Sequence, residues 1–129
     1  MARVLIVDDD AEIVGLLTEV LKREGHQVVS ASETVEGMQK ARELKPDLII
    51  LDYHMPGETG AHLFESLRRN LSSRKTPILF MSGEASPDQV LTEITDTDCS
   101  QFLAKPVHLD DFRRAISELL NAAKGGQEK

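Results

Sequence analysis

Four short stretches of this chain end in residues that can do chemistry together. Val4–Val7 runs into Asp8, Asp9 and Asp10. Leu48–Leu51 runs into Asp52, Pro77–Met81 into Ser82, and Gln101–Ala104 into Lys105-Pro106. Carboxylates gathered in one place repel one another and raise one another's pKa unless a cation neutralises them. Oxygen ligands with room for water suit magnesium. An acidic pocket that also holds an ammonium and a hydroxyl suits phosphoryl transfer onto a carboxylate. The ammonium offsets the charge that develops and the hydroxyl donates to a phosphoryl oxygen. Taken singly, each residue has an ordinary role. A strand-end aspartate is commonly a turn or helix cap, Asp10 above all, Ser82 a turn residue and Lys105 a solvated lysine. Their joint order carries the weight: acids, acid, hydroxyl, lysine, each at the end of a strand-like run.

The elements that must hold these residues alternate along the chain. Ile13, Leu16, Leu17, Val20 and Leu21 recur at helical spacing, and Gly25 closes the segment. Gln27–Ala31 reads as a weaker strand. Val35, Met38, Ala41 and Leu44 mark a second helix that ends at Lys45-Pro46, and Leu63, Phe64, Leu67 and Leu71 a third. Ser86-Pro87-Asp88-Gln89 opens a fourth helix, with Ser86 as cap and Pro87 at its first position. Val90, Leu91 and Ile94 form its apolar face. Leu109, Phe112, Ile116, Leu119 and Leu120 mark the last helix, with Asp110 and Asp111 at its positive end. Strands alternating with helices predict an α/β fold with a parallel sheet covered on both faces. In the flavodoxin-like order 2-1-3-4-5, strands one and three are neighbours at the switch point, where ligands bind beyond the carboxyl ends. Asp8, Asp9 and Asp52 then converge.

The 129 residues suffice for one domain, expected over residues 1–123, with a flexible tail at 124–129. There are 15 basic and 22 acidic residues, a formal net charge of −7, and no basic stripe, which argues against direct nucleic-acid or anionic-membrane binding. The single cysteine excludes an internal disulfide and a cysteine-built zinc site, and fits a cytoplasmic setting. No apolar run reaches membrane-spanning length.

From about residue 3 to 121 the chain resembles the response-regulator receiver family of two-component signalling. The matching pieces are Val7-Asp8-Asp9, Leu51-Asp52-Tyr53-His54-Met55-Pro56 with Gly60, Met81-Ser82-Gly83, and Phe102-Leu103-Ala104-Lys105-Pro106. The resemblance implies that Asp52 is the phosphoacceptor. It implies that Asp9 and Asp52 bind Mg2+ directly with the backbone carbonyl of His54, and that Asp8 acts largely through water. Ser82 and Lys105 would hold the phosphoryl oxygens. Phe102 falls at the family's switch aromatic, though an ordinary strand aromatic accounts for it equally well from sequence. His54 and Glu84 stand where the family tunes dephosphorylation, and Lys105-Pro106 matches a peptide that is often cis there. Three departures stand out. Asp98-Cys99 replaces the usual Gly-Ala, Val107 replaces an aromatic, and Gly83 stands where alanine is common and leaves room for phosphoryl access.

Rival functions fit less well. A haloacid-dehalogenase-type phosphohydrolase would use Asp8 and Asp10 as its Asp-x-Asp opening, but Glu12 replaces the Thr or Val expected next, and the late acidic pair is missing. A flavin module would need a phosphate-cradling loop where Asp8-Asp9-Asp10 repels phosphate. A receiver-like interaction module that signals without phosphorylation is opposed by the complete residue set. The expected partners are a histidine kinase or phosphotransfer protein as phosphodonor, and a downstream protein or fused output domain. Docking is expected around the fourth helix, fifth strand and fifth helix, and a homodimer is allowed. The chain would catalyse only its own phosphorylation and dephosphorylation.

Overall fold

A computed structural model describes residues 2–53, 60–70, 73–83 and 100–127. In chain order the elements are β1 (Arg3–Val7), α1 (Ala11–Arg23), β2 (Gln27–Ala31), α2 (Thr34–Leu44), β3 (Leu48–Asp52), α3 (Gly60–Arg69), β4 (Ile78–Ser82), β5 (Ser100–Ala104) and α4 (Leu109–Gln127). The five strands form one sheet of order β2-β1-β3-β4-β5, and every pairing is parallel. This is the doubly wound, flavodoxin-like arrangement predicted from sequence. The fourth predicted helix, with Ser86, Pro87 and the Val90/Leu91/Ile94 face, and the Asp98-Cys99 departure lie outside the described residues.

Two cores flank the sheet because side chains alternate along each strand. Leu5, Val7, Ile49, Leu51, Ile78 and Phe80 face α2 and α3 together with Leu63, Phe64 and Leu67. Val4, Ile6, Leu48, Ile50, Leu79 and Met81 face α1 and α4 together with Leu17, Leu21, Phe112 and Ile116. β1, β3 and β4 are buried on both faces, as central parallel strands are, whereas β5 is half-buried.

Helix boundaries follow local chemistry. Asp10 caps α1: its carboxylate accepts the N–H groups of Glu12 and Ile13 at 3.0 and 3.4 Å. Past the other end, Gly25 takes φ 90. There the Gly25 N–H bonds the Lys22 carbonyl and the His26 N–H the Leu21 carbonyl, a Schellman closure that a left-handed glycine permits. α4 runs through Gln127, past residue 124, where the tail was expected to begin. Glycine lowers helix propensity by about 1 kcal/mol without blocking the helix sterically.

Two apolar residues counted into helix faces are exposed instead. Leu16 is 49% and Val35 63% exposed. In α2 the buried residues are Thr34, Gly37 and Ala41, a stripe turned away from Val35. The cause is Gly37. A Cβ built there would fall 2.9 Å from Val7 Cγ2, so the helix backbone itself rests on β1.

Candidate functional site

Alternation along the strands assembles the site. Asp8 continues the Val4/Ile6 face of β1 and Asp52 the Leu48/Ile50 face of β3. Lys105 follows Leu103 by two residues, so all three point toward the α1/α4 side. Ser82 continues the Ile78/Phe80 face of β4 and reaches the sheet edge from the other side. Parallel register sets all the strand ends at one rim: Val7 pairs with Leu51, Asp52 with Met81, and Ser82 with Ala104.

The Lys105 ammonium lies 3.1 Å from one Asp8 oxygen and 3.4 Å from one Asp52 oxygen. Asp8 is 2% and Asp52 5% exposed, so both carboxylates meet this cation largely out of water. Burial opposes charge on Lys105, yet Asp52 and Asp8 together outweigh it and hold the ammonium above its usual pKa. The other Asp8 oxygen accepts the Asp10 N–H at 2.9 Å, which ties the pocket to the start of α1. The Asp8 N–H donates to the Ala31 carbonyl at 3.0 Å, which ties it to β2. The Lys105 N–H donates to the Ser82 carbonyl at 2.9 Å, and the Lys105-Pro106 peptide is cis.

Asp8, Asp9 and Asp52 each offer one carboxylate oxygen, and these oxygens lie within 4.8 Å of one another. Asp9 is exposed at the pocket mouth, while Asp8 and Asp52 are buried. An oxygen-only donor set open to water on one side matches what a hard divalent cation such as Mg2+ requires. Ser82 is 1% exposed at the end of β4. Phe102 is half-buried against the α2/α3 core and pairs in register with Phe80. His54 and Glu84, predicted from sequence to lie beside the site, fall outside the described residues. Tyr53 was not singled out by sequence. It is buried directly after Asp52, edge-on to Phe80 with ring centroids 6.2 Å apart. The signal was present in alternation, since Tyr53 continues the Ile49/Leu51 face.

The doubly wound sheet with an acidic cluster and a lysine at its carboxyl rim is the arrangement of a signal-receiver class. The response regulator receiver domain model matches residues 4–117, and the chain belongs to that family. Protein PilH of Pseudomonas aeruginosa is 30% identical over 122 residues, covering 93% of this chain and 98% of PilH. The sensor histidine kinase AruS of the same organism is 34% identical over 118 residues, but the chain spans only 12% of its length. Among solved structures, the chemotaxis protein CheY4 of Vibrio cholerae superposes with a TM-score of 0.84 at 29% identity, covering 92% of this chain and 98% of that one. Receiver domains are signalling modules of two-component systems and generally bind Mg2+ at an acidic pocket. Nothing in these matches supports the phosphohydrolase alternative. Among the described residues, no helix is long and apolar enough to cross a membrane.

Proposed function

We propose that this chain accepts a phosphoryl group on Asp52 in a Mg2+-dependent reaction and thereby switches a partner-binding surface. The observation that carries the proposal is the convergence of Asp8, Asp52 and Lys105, from three separate strands, within 3.4 Å of one ammonium. Asp9 and Asp52, with the backbone carbonyl of His54, would hold the ion directly, and Asp8 largely through water. When bound, the cation supplies positive charge that offsets repulsion between the carboxylates and an incoming phosphoryl group. An Asp52 oxygen is the nucleophile. Lys105 would neutralise a phosphoryl oxygen on Asp52, a role supported by its 3.4 Å approach to that carboxylate, and the Ser82 hydroxyl would donate to another.

Drawing Ser82 toward the phosphoryl group would open space for Phe102, which lies on the same face of the sheet, to move inward. The output surface would then lie around β5 and α4. His54 and Glu84 would tune hydrolysis. Exchanging both side chains should change the decay rate of the phosphorylated form, and an unchanged rate would remove them from that role. The phosphodonor would be a histidine kinase or phosphotransfer protein, and the output partner a downstream protein or fused domain. The setting would be cytoplasmic, and the only chemistry catalysed would be phosphorylation and dephosphorylation of the chain itself.

Incubation with Mg2+ and acetyl phosphate should add the mass of one phosphoryl group, and Asp52→Asn should abolish the gain. No gain in the wild type, or a gain that survives Asp52→Asn, would overturn the proposal.

A further inference from the structure

The amino-terminal rim of the sheet, opposite the acidic site, carries the reverse charge. Residues 66–83 hold four basic residues and no acidic one, in a chain whose acidic residues outnumber its basic ones 22 to 15. Arg74 and Lys75 take the two central positions of the turn that leads into β4, closed by the Thr76 N–H on the Ser73 carbonyl at 3.1 Å. That turn is fastened to α3. The Arg68 guanidinium donates to the Ser73 and Thr76 carbonyls at 3.1 and 2.7 Å, and the buried Ser73 hydroxyl donates to the Leu67 carbonyl at 2.6 Å. Arg74 and Lys75 are exposed and make no ion pair among the described residues. Arg69, in the last turn of α3, is exposed too and pairs only loosely with Glu65, at 4.0 Å. The carboxyl rim offers the complement. Asp9, Asp10 and Glu12 are all exposed there, where α1 begins, while Lys105 is engaged with Asp8 and Asp52.

We propose that the Arg74-Lys75 turn of one copy of this chain docks on the Asp9/Asp10/Glu12 rim of a second copy, a head-to-tail contact that covers the mouth of the Asp52 pocket. Opposite charges at opposite ends of a parallel sheet make the contact heterologous. A copy that gives its turn keeps its own acidic rim free, so further copies add in open chains. Nucleic acid and anionic membrane are poor occupants of the turn, because the acidic remainder of the chain repels an extended polyanion. A compact set of three carboxylates matches it in size and charge. The turn is ordered before it binds, so docking costs little loop entropy. Exposed ion pairs are individually weak and screened by salt, so the contact is reversible, with a Kd on the order of 1 mM. That the associated copy is closed to a phosphodonor rests on the proposed function; the contact itself does not.

The test is sedimentation equilibrium of the full chain in metal-free buffer, at roughly millimolar protein and about 0.1 M salt, where charges a Debye length of ~10 Å apart are largely screened but contacting pairs are not. Two variants each disable one side. Arg74→Glu with Lys75→Glu reverses the turn and spares its anchors Arg68 and Ser73. Asp9→Asn with Glu12→Gln neutralises the rim and spares the cap Asp10. The wild type should gain average mass with concentration, without a plateau at the dimer, and return to monomer in high salt. Each variant alone should stay monomeric, the second even though it carries less net negative charge. An equimolar mixture of the two should form a 1:1 dimer and stop there, because one intact turn then meets one intact rim. A wild type that stays monomeric, association that survives in either variant alone, or a mixture that fails to pair while both variants keep the wild-type circular dichroism would overturn the inference. None of these outcomes bears on phosphorylation of Asp52, which intact mass reads separately.

Discussion

Lys105 is the residue on which the pocket turns. Its ammonium is shared by Asp8 and Asp52, and its stem is mostly buried. Lys105→Met leaves two largely buried carboxylates facing each other without their cation. Breaking a fully buried pair costs about 3–5 kcal/mol, and this pair opens to solvent at the rim. A loss of about 1–3 kcal/mol is therefore expected in metal-free protein, read from urea midpoints. Mg2+ should restore more stability to this variant than to the wild type, because it then meets the carboxylates without a competing cation. Asp10 shows the ordinary side of the same acidic run. It caps α1, as its position before the helix predicts, so of the three adjacent acids only Asp8 and Asp9 join the cluster with Asp52. That division was legible because an aspartate just before a periodic apolar segment has a specific local use.

At the scale of elements, α2 shows where one-dimensional pattern falls short. Val35 looked like a face residue by spacing and is exposed, because the helix docks through Gly37 on Val7. Gly37→Val puts a branched side chain where even a Cβ has no room, and overpacking of this kind costs about 1–3 kcal/mol. A lower Tm is expected, together with weaker Mg2+ binding, because Val7 immediately precedes Asp8. The start of α2 also carries a pH dependence. The Glu36 carboxylate accepts the Ser32 N–H at 3.0 Å, and this bond, helped by Lys40, holds its pKa below the ordinary 4.5. A lowered carboxylate pKa means that the contribution is present above the unfolded value and is lost as pH falls through the folded one. The Tm gap between wild type and Glu36→Gln should thus be open at neutral pH and close on acidification. A gap that stays constant with pH would show that the ionised carboxylate contributes nothing.

Across the whole molecule, folding gathers negative charge at one rim of the sheet, and an ion that binds there only in the folded state must stabilise the fold. At a hundredfold excess over its Kd, such an ion adds about 2.7 kcal/mol. Calorimetry should show a Mg2+-dependent rise in Tm for the wild type and a much smaller one for Asp9→Asn, since Asp9 is the exposed member of the three-carboxylate set. The sequence by itself determined the alternation of strands and helices, the doubly wound class for which the order 2-1-3-4-5 is expected, and the strand ends at which Asp8, Asp52, Ser82 and Lys105 stand. It could do so because hydrophobic period and turn chemistry are local and survive in one dimension. Only the tertiary structure decided that Lys105 bridges Asp8 and Asp52, that α2 rests on β1 through Gly37, and that Leu16 and Val35 face outward. Those outcomes depend on how separate elements approach one another, and the distance between two side chains on different strands is set by register and packing, which no local spacing encodes.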